Sequence, residues 1–293
     1  MSILAKDRTI IRAPAPRFTK TGYWKILTQD PAFQAMVDLL NTYVQGIWRF
    51  NKRENETDAM AAFRCGRNLK IGASNLALDR QWPGGPPTFF RDYARFRNDT
   101  PLVTREFIQS LANGGTGEGS LFVVAKCPDT TIGTTGTKRA WLAGTYGNNQ
   151  NSGLGLLFNN YPNQLQGLGY QVTDEGSGRV RTAAINVNTG TIDLWRILFL
   201  DWDAATLAAR NLAGDSAVPA PLTLVGGNAY GTQPLTIGGR ITSGLNFDAD
   251  TLKDIAFVLL LNKKVTDEQR VFLTAFLRLM FDETALLYLN NLS

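Results

Sequence analysis

Apolar residues recur at helical spacing in only two stretches of the chain; elsewhere they gather into short runs broken by Gly, Asn, Pro and Asp. The first helical stretch opens at Asp30-Pro31, an N-cap residue followed by proline at the first helical position. Phe33, Met36, Val37, Leu40, Val44 and Ile47 then form one stripe, and Gly46 marks its expected end. The second covers residues 266–281, where Thr266 and Gln269 have the spacing of a capping box. Asp267 and Glu268 in that first turn suit the helix dipole. Its expected apolar face is Val271, Phe272, Ala275, Phe276, Leu279 and Met280.

Between them the runs at 89–96, 121–125, 140–143, 154–158, 192–200 and 255–261 have strand length and strand composition. Turn signals at 113–115, 147–149, 188–190 and 226–228 separate them. No helices alternate with these strands, so the pattern predicts an antiparallel sandwich or barrel. In 89–97 (FFRDYARFR), strand alternation would turn the aromatic residues inward and Arg91, Arg95 and Arg97 outward.

Residues 1–29 break the pattern. Pro14 and Pro16 disfavour helix. Yet Ile10, Ile11, Phe18, Tyr23 and Trp24 are too apolar for a free tail. The expectation is an extended arm whose apolar side chains, with Phe33, form an assembly interface. A polar link at 51–58 (NKRENETD) suggests a boundary. The expected organisation is an arm and helix over 1–60, a docking segment, followed by a β domain over 61–293 that carries the C-terminal helix.

Composition agrees with a globular chain: 293 residues, 44 % hydrophobic, 19 % charged, 28 glycines. The net charge of +5 is mild for this length, and no dense basic stripe of the kind nucleic-acid binders carry is visible. Histidine is absent, which excludes His-dependent nucleophile systems and His-ligated zinc. Cys65 and Cys127 read as two buried thiols. The N-terminal sequence lacks the apolar run of a signal peptide, and no run approaches membrane-span length, so synthesis in a cytoplasm without membrane insertion is expected. Residues 114–119 (GGTGEG) precede a strand rather than follow one, which argues against a dinucleotide loop. The stretch 233–240 (QPLTIGGR) reads as a strand with Leu235 and Ile237 on one side, ended by a tight Gly238-Gly239 turn; no helix follows to bind phosphate.

The order PLTIGGR, then Phe247, then 252–258 (LKDIAFV), a basic turn and a helix starting VTDEQ resembles the end of LamG-like domains, which belong to the concanavalin A-like lectin/glucanase jelly rolls. Residues 122–125 resemble an early strand of that family, and Trp195 with Asp201, Trp202 and Asp203 resembles its middle segment. The resemblance covers residues 61–281. It implies a mostly β, antiparallel jelly-roll sandwich, here with an N-terminal extended arm plus helix and a C-terminal helix.

Such domains occur in adhesion proteins, carbohydrate-binding modules and bacteriophage tail and virion proteins. With the apolar arm, the resemblance implies a non-enzymatic virion component of the tail, baseplate or tail fibre, partnered by other virion proteins and by copies of itself. The alternative is a carbohydrate-binding, receptor-recognition module. Sugar contact needs an aromatic platform with amide donors and acceptors on loops, and Trp141, Tyr146, Asn148, Asn149 and Tyr161 supply these types. The family's hydrolases carry alternating carboxylates in the pattern E-x-D-x-x-E, which is missing here, so no catalytic residues are expected, and a polysaccharide-degrading lyase or hydrolase without that motif is the third reading. Many such jelly rolls hold calcium; Asp201, Asp203, Asp248 and Asp250 are candidates by type, weighed against exposed turn aspartates, and no cofactor is expected.

Overall fold

The computed structural model describes residues 31–69, 76–78, 85–104, 117–128, 139–145, 153–158, 164–173, 179–188, 194–211, 220–224, 234–239 and 251–282. The chain divides into two compact units, residues 1–44 with 265–293, and residues 45–264.

In the first unit, helix α1 (Pro31–Tyr43) buries Met36, Val37, Leu39 and Leu40. Helix α3 (Asp267–Asp282) packs with it and buries Leu273, Leu277 and Phe281. The expected capping box is present: Gln269 N donates to Thr266 Oγ1 at 3.2 Å, and Thr266 N donates to Gln269 Oε1 at 3.0 Å. Such a cap contributes roughly 1 kcal/mol. The buried face differs from expectation. Val271 is 65 % exposed, and the Leu273, Leu277, Phe281 row is the buried one. Two i, i+4 rows compete on this helix, and the Leu-Leu-Phe row removes more apolar surface from water than one containing Val271 and Ala275. The side chains of Leu279, Met280 and Phe33 lie outside the described residues.

The second unit is a mostly β, antiparallel, jelly-roll-like sandwich. One sheet has eight strands: β13 (Leu222–Thr223), β12 (Thr206–Asn211), β11 (Arg196–Trp202), β6 (Gly119–Lys126), β15 (Lys253–Leu261), β4 (Ala94–Phe96) and β3 (Thr88–Phe89) in that order, with β1 (Val44–Arg49) paired to β15. The other has seven: β10 (Arg179–Asn188), β9 (Gln164–Thr173), β8 (Gly155–Phe158), β7 (Ala140–Gly144), β14 (Thr236–Ile237), β5 (Leu102–Thr104) and β2 (Leu76–Leu78). Side chains from both inner faces form one core; Phe96, Val123, Leu198, Trp202 and Leu260 come from the first sheet, and Leu102, Leu142, Leu156, Phe158 and Ile237 from the second.

The run at 255–261 is apolar at every position because β15 is buried on both faces, as β6 is over nearly its whole length. A bulge between Ile255 and Phe257 resets its alternation, so Ile255, Val258 and Leu260 all reach the core. The carbonyl of Ala256, freed at that bulge, accepts from Phe50 N at 2.9 Å.

Three sequence expectations change here. Val44 and Ile47 belong to β1, not to α1, and Gly46 does not end a helix. Its missing Cβ makes room for the Trp48 ring, which a Cβ would meet at 2.0 Å. Residues 45–60, expected in the docking segment, instead contribute β1 to the sandwich. The expected strand at 192–200 begins only at Arg196 and extends to Trp202.

A helix also follows the polar link: α2 (Asp58–Cys65), capped by Thr57, whose side chain accepts from Met60 N. Arg64 ties α2 to the preceding loop. It donates to both Glu56 carboxylate oxygens at 2.6 Å and to the Asn51 carbonyl at 2.8 Å. The Arg64 hydrogen bond, helped by the Arg53 amide, holds the Glu56 carboxyl down to about 2. A folded value below the unfolded one, about 4.3, means that this contribution is complete above roughly pH 4 and disappears as pH falls toward 2. Urea midpoints at pH 5 and pH 2.5 should therefore differ more for the wild type than for Glu56→Gln. Equal differences would remove Glu56 from the acid response.

The stretch 233–240 behaves as a strand and turn over its described residues. Leu235 and Ile237 are core residues. Thr236 faces the other way, its hydroxyl donating to the Gly144 carbonyl at 3.1 Å and the Gly239 carbonyl at 2.7 Å. Arg240 lies outside the described residues.

Candidate functional site

The run at 89–96 is a hairpin rather than one strand. Thr88 pairs with Arg95 and Phe89 with Ala94, and residues 90–93 form the connection. Its aromatic residues therefore divide. Phe89 and Phe96 enter the core, whereas Phe90 and Tyr93 stack on each other in the connection, with centroids 4.6 Å apart and planes 17° apart. Single-strand alternation cannot produce that division, because the turn at Arg91-Asp92 resets it.

Register then assembles a row across four adjacent strands. Arg95 on β4 lies opposite Asp254 on β15, and Asp254 lies opposite Lys126 on β6. One position beyond the last β6–β11 pair, Arg196 with Ala125, Trp195 comes level with Lys126. Neighbours in such a row point to one face. Ala94, Phe96, Ala125 and Ile255 point inward, so the row lies on the face turned away from the sandwich core.

The row is tightly connected. Asp254, 0 % exposed, accepts two bonds from the Arg95 guanidinium at 2.7 and 2.9 Å, and Lys126 Nζ lies 4.0 Å from its Oδ2. Arg95 sits over the Phe90 ring at 5.3 Å, and Lys126 over the Trp195 ring at 5.9 Å. Tyr93 meets Trp195 edge-on at 5.3 Å. Burial first, and the Asp254 charge second, push the Tyr93 hydroxyl up, so it remains a protonated donor at neutral pH. Phe90, Tyr93, Arg95 and Lys126 are all part-exposed. The result is an aromatic platform with a phenol donor and two cations, preset by one buried carboxylate. This combination of apolar faces and fixed polar groups suits a polar ring ligand such as a sugar.

The residues expected from sequence fare differently. Trp141 lies on β7 between two inward-facing residues and is 2 % exposed, so it is not the open platform expected. Tyr146, Asn148, Asn149 and Tyr161 lie outside the described residues, as do Ile10, Ile11, Phe18, Tyr23 and Trp24. Among the calcium candidates, Asp248 and Asp250 are also outside them. Asp201 is buried on β11. Asp203 caps the β11–β12 turn, accepting from Ala205 N, Thr206 N, the Thr206 hydroxyl and Lys264 Nζ. Among the described residues no group of three acidic, Cys or His side chains gathers as a metal site would require. Lys126 and Asp254 were missed by sequence reasoning; the one signal for Asp254 is a charge placed directly before a continuous apolar run.

No family model matches the chain, and no curated protein matches it in sequence. Solved structures do. The receptor binding domain of botulinum neurotoxin C/D mosaic serotype is 10 % identical with a TM-score of 0.52, covering 79 % of this chain and 51 % of that one. The binding domain of botulinum neurotoxin serotype D is 10 % identical with a TM-score of 0.53, covering 82 % and 52 %. The serotype D ligand binding domain in complex with N-acetylneuraminic acid is 9 % identical with a TM-score of 0.53, covering 82 % and 52 %. The chain thus spans about half the length of these domains. At such identity the likeness concerns the fold. It supports the antiparallel β-sandwich and does not single out LamG or bacteriophage proteins.

Proposed function

We propose that the sandwich is a non-catalytic carbohydrate-binding, receptor-recognition module of the LamG-like kind, and that the row through Arg95, Asp254 and Lys126 is where the glycan docks. The carrying observation is the stacked Phe90–Tyr93 pair beside two fixed cations on the outer face. Tyr93 offers its ring face to a sugar and its hydroxyl as donor. Arg95 and Lys126 donate to hydroxyl or carboxylate oxygens. Asp254 holds Arg95 in place before the ligand arrives. That the similar structures include receptor-binding domains, one bound to N-acetylneuraminic acid, supports this reading over virion assembly as the main role. The assembly reading depends on the arm before Pro31, outside the described residues.

A glycan array carrying neutral and sialylated glycans tests it. The wild type should bind a subset, and Tyr93→Ala, with unchanged circular dichroism, should weaken that binding at least about tenfold, the loss of one stacking platform. A blank array, or binding that Tyr93→Ala leaves intact, overturns the assignment.

A further inference from the structure

The interior of the sandwich holds an amine that the proposed glycan site does not use. Lys253 opens β15 with the same parity as Ile255, so it points inward, opposite to Asp254. It is 0 % exposed. A buried ammonium needs a counter-charge, yet among the described residues no carboxylate forms an ion pair with it. Its Nζ meets Asn98 Oδ1 and, at 3.4 Å, the Thr251 carbonyl. Burial pushes its pKa well below the usual lysine range, outweighing the opposing charges of Cys127 and Asp99. Burial thus favours the uncharged amine, whose lone pair is the nucleophilic form, more than in an ordinary lysine.

Its neighbour is an electrophile held in place. Asn98 Nδ2 donates to the Arg139 carbonyl at 2.8 Å, and Asn98 Oδ1 accepts from Trp141 N at 3.4 Å. The carboxamide is thereby oriented, with a main-chain N–H directed at the oxygen on which charge grows during attack. Side chains that share a buried site for the lifetime of the protein have a high effective concentration for reaction.

We propose that Lys253 and Asn98 join in an intramolecular isopeptide bond. The Nζ lone pair attacks Asn98 Cγ, the C–N bond forms, and the carbonyl electron pair moves onto Oδ1. The carbonyl re-forms as the Cγ–Nδ2 bond breaks. One proton passes from Nζ to Nδ2, which leaves as ammonia. The balance calls for no oxidant and no co-reactant. The product ties β15 to the turn after β4, joining residues 155 positions apart.

The test is the intact mass of the full-length protein under denaturing conditions. The wild type should weigh about 17 Da less than its sequence, the mass of one ammonia, and Lys253→Arg and Asn98→Ala should each show the full mass of their sequences. Trypsin should fail to cut after the acylated Lys253, giving a branched product of residues 98–105 and 241–263. Wild-type protein at its full sequence mass, cleaved after Lys253, overturns the proposal. Since the wild type itself supplies the deciding mass, the result stands even if the variants do not fold. Glycan binding does not enter the readout, so this bond and the proposed function stand or fall separately.

Discussion

Arg95→Met should destabilise the sandwich by about 3–5 kcal/mol, the cost of leaving a buried charge without its partner. The asymmetry of the pair makes the expectation specific. Asp254 is fully buried, whereas the Arg95 side chain is 31 % exposed. Removing the arginine strands a carboxylate that cannot reach water, with Lys126 at 4.0 Å as the remaining counter-charge. Removing the carboxylate leaves a guanidinium that can turn toward solvent. Asp254→Asn, which preserves shape, should therefore cost less than Arg95→Met, and the double variant should recover part of the larger loss. Urea unfolding of the two single variants and the double variant measures this as a coupling energy. A loss under about 1 kcal/mol for Arg95→Met, level with an exposed ion pair, would show that the site is not preset by this contact. Because Asp254 is dry, the effect should also survive added salt, which screens only exposed pairs strongly.

Gly238→Ala should cost a comparable roughly 2–5 kcal/mol, from two sources that can be separated. The residue has φ +80, a conformation that L side chains rarely adopt, and an added Cβ would lie 2.1 Å from Cδ1 and 2.3 Å from Cγ of Phe96. Phe96 is itself fully buried, so its ring has no solvent side to move into. Gly85 provides the control: its φ is +74 and nothing lies within 4 Å of a Cβ built there. Gly85→Ala should show only the backbone cost, about 1–2 kcal/mol, and the difference between the variants measures the clash. Matching losses in thermal unfolding would mean that Phe96 gives way freely, and the tight packing read from this turn would be incorrect.

Much of the sandwich was legible because β6, β7, β8 and β15 are short apolar runs between turn residues, and both sides of a buried sheet demand that composition. The Thr266–Gln269 cap was legible because it is local. What failed needed information beyond its own segment. Val44 and Ile47 continue a helical stripe on paper, and only pairing with β15 makes them strand. Helix α2 is only eight residues, starting where the charged link ends, and its one sequence signal is Thr57 before Asp58. The candidate site was the least legible part. Arg95 and Asp254 are 159 positions apart, and nothing near either announces the other. Lys126 and Trp195 look like ordinary strand ends. Cross-strand register alone gathers them, whereas Trp141, which has the right residue type for a sugar platform, is turned into a buried sheet position.

The place of β15 also sets a timetable. It lies between β6 and β4 and carries β1, yet every other described strand precedes it in the chain. On the ribosome, β6 is complete about 135 residues before β15, an interval on the order of ten seconds at ordinary elongation rates. Throughout that time, β1, β4 and β6 await the strand that joins them, their apolar faces and hydrogen-bonding edges open. Stalled or prematurely terminated chains would carry unpaired sheet edges, the usual seeds of aggregation. The sandwich cannot mature piecemeal from its N-terminal side: it closes when its central strand arrives, after every other described strand has been made.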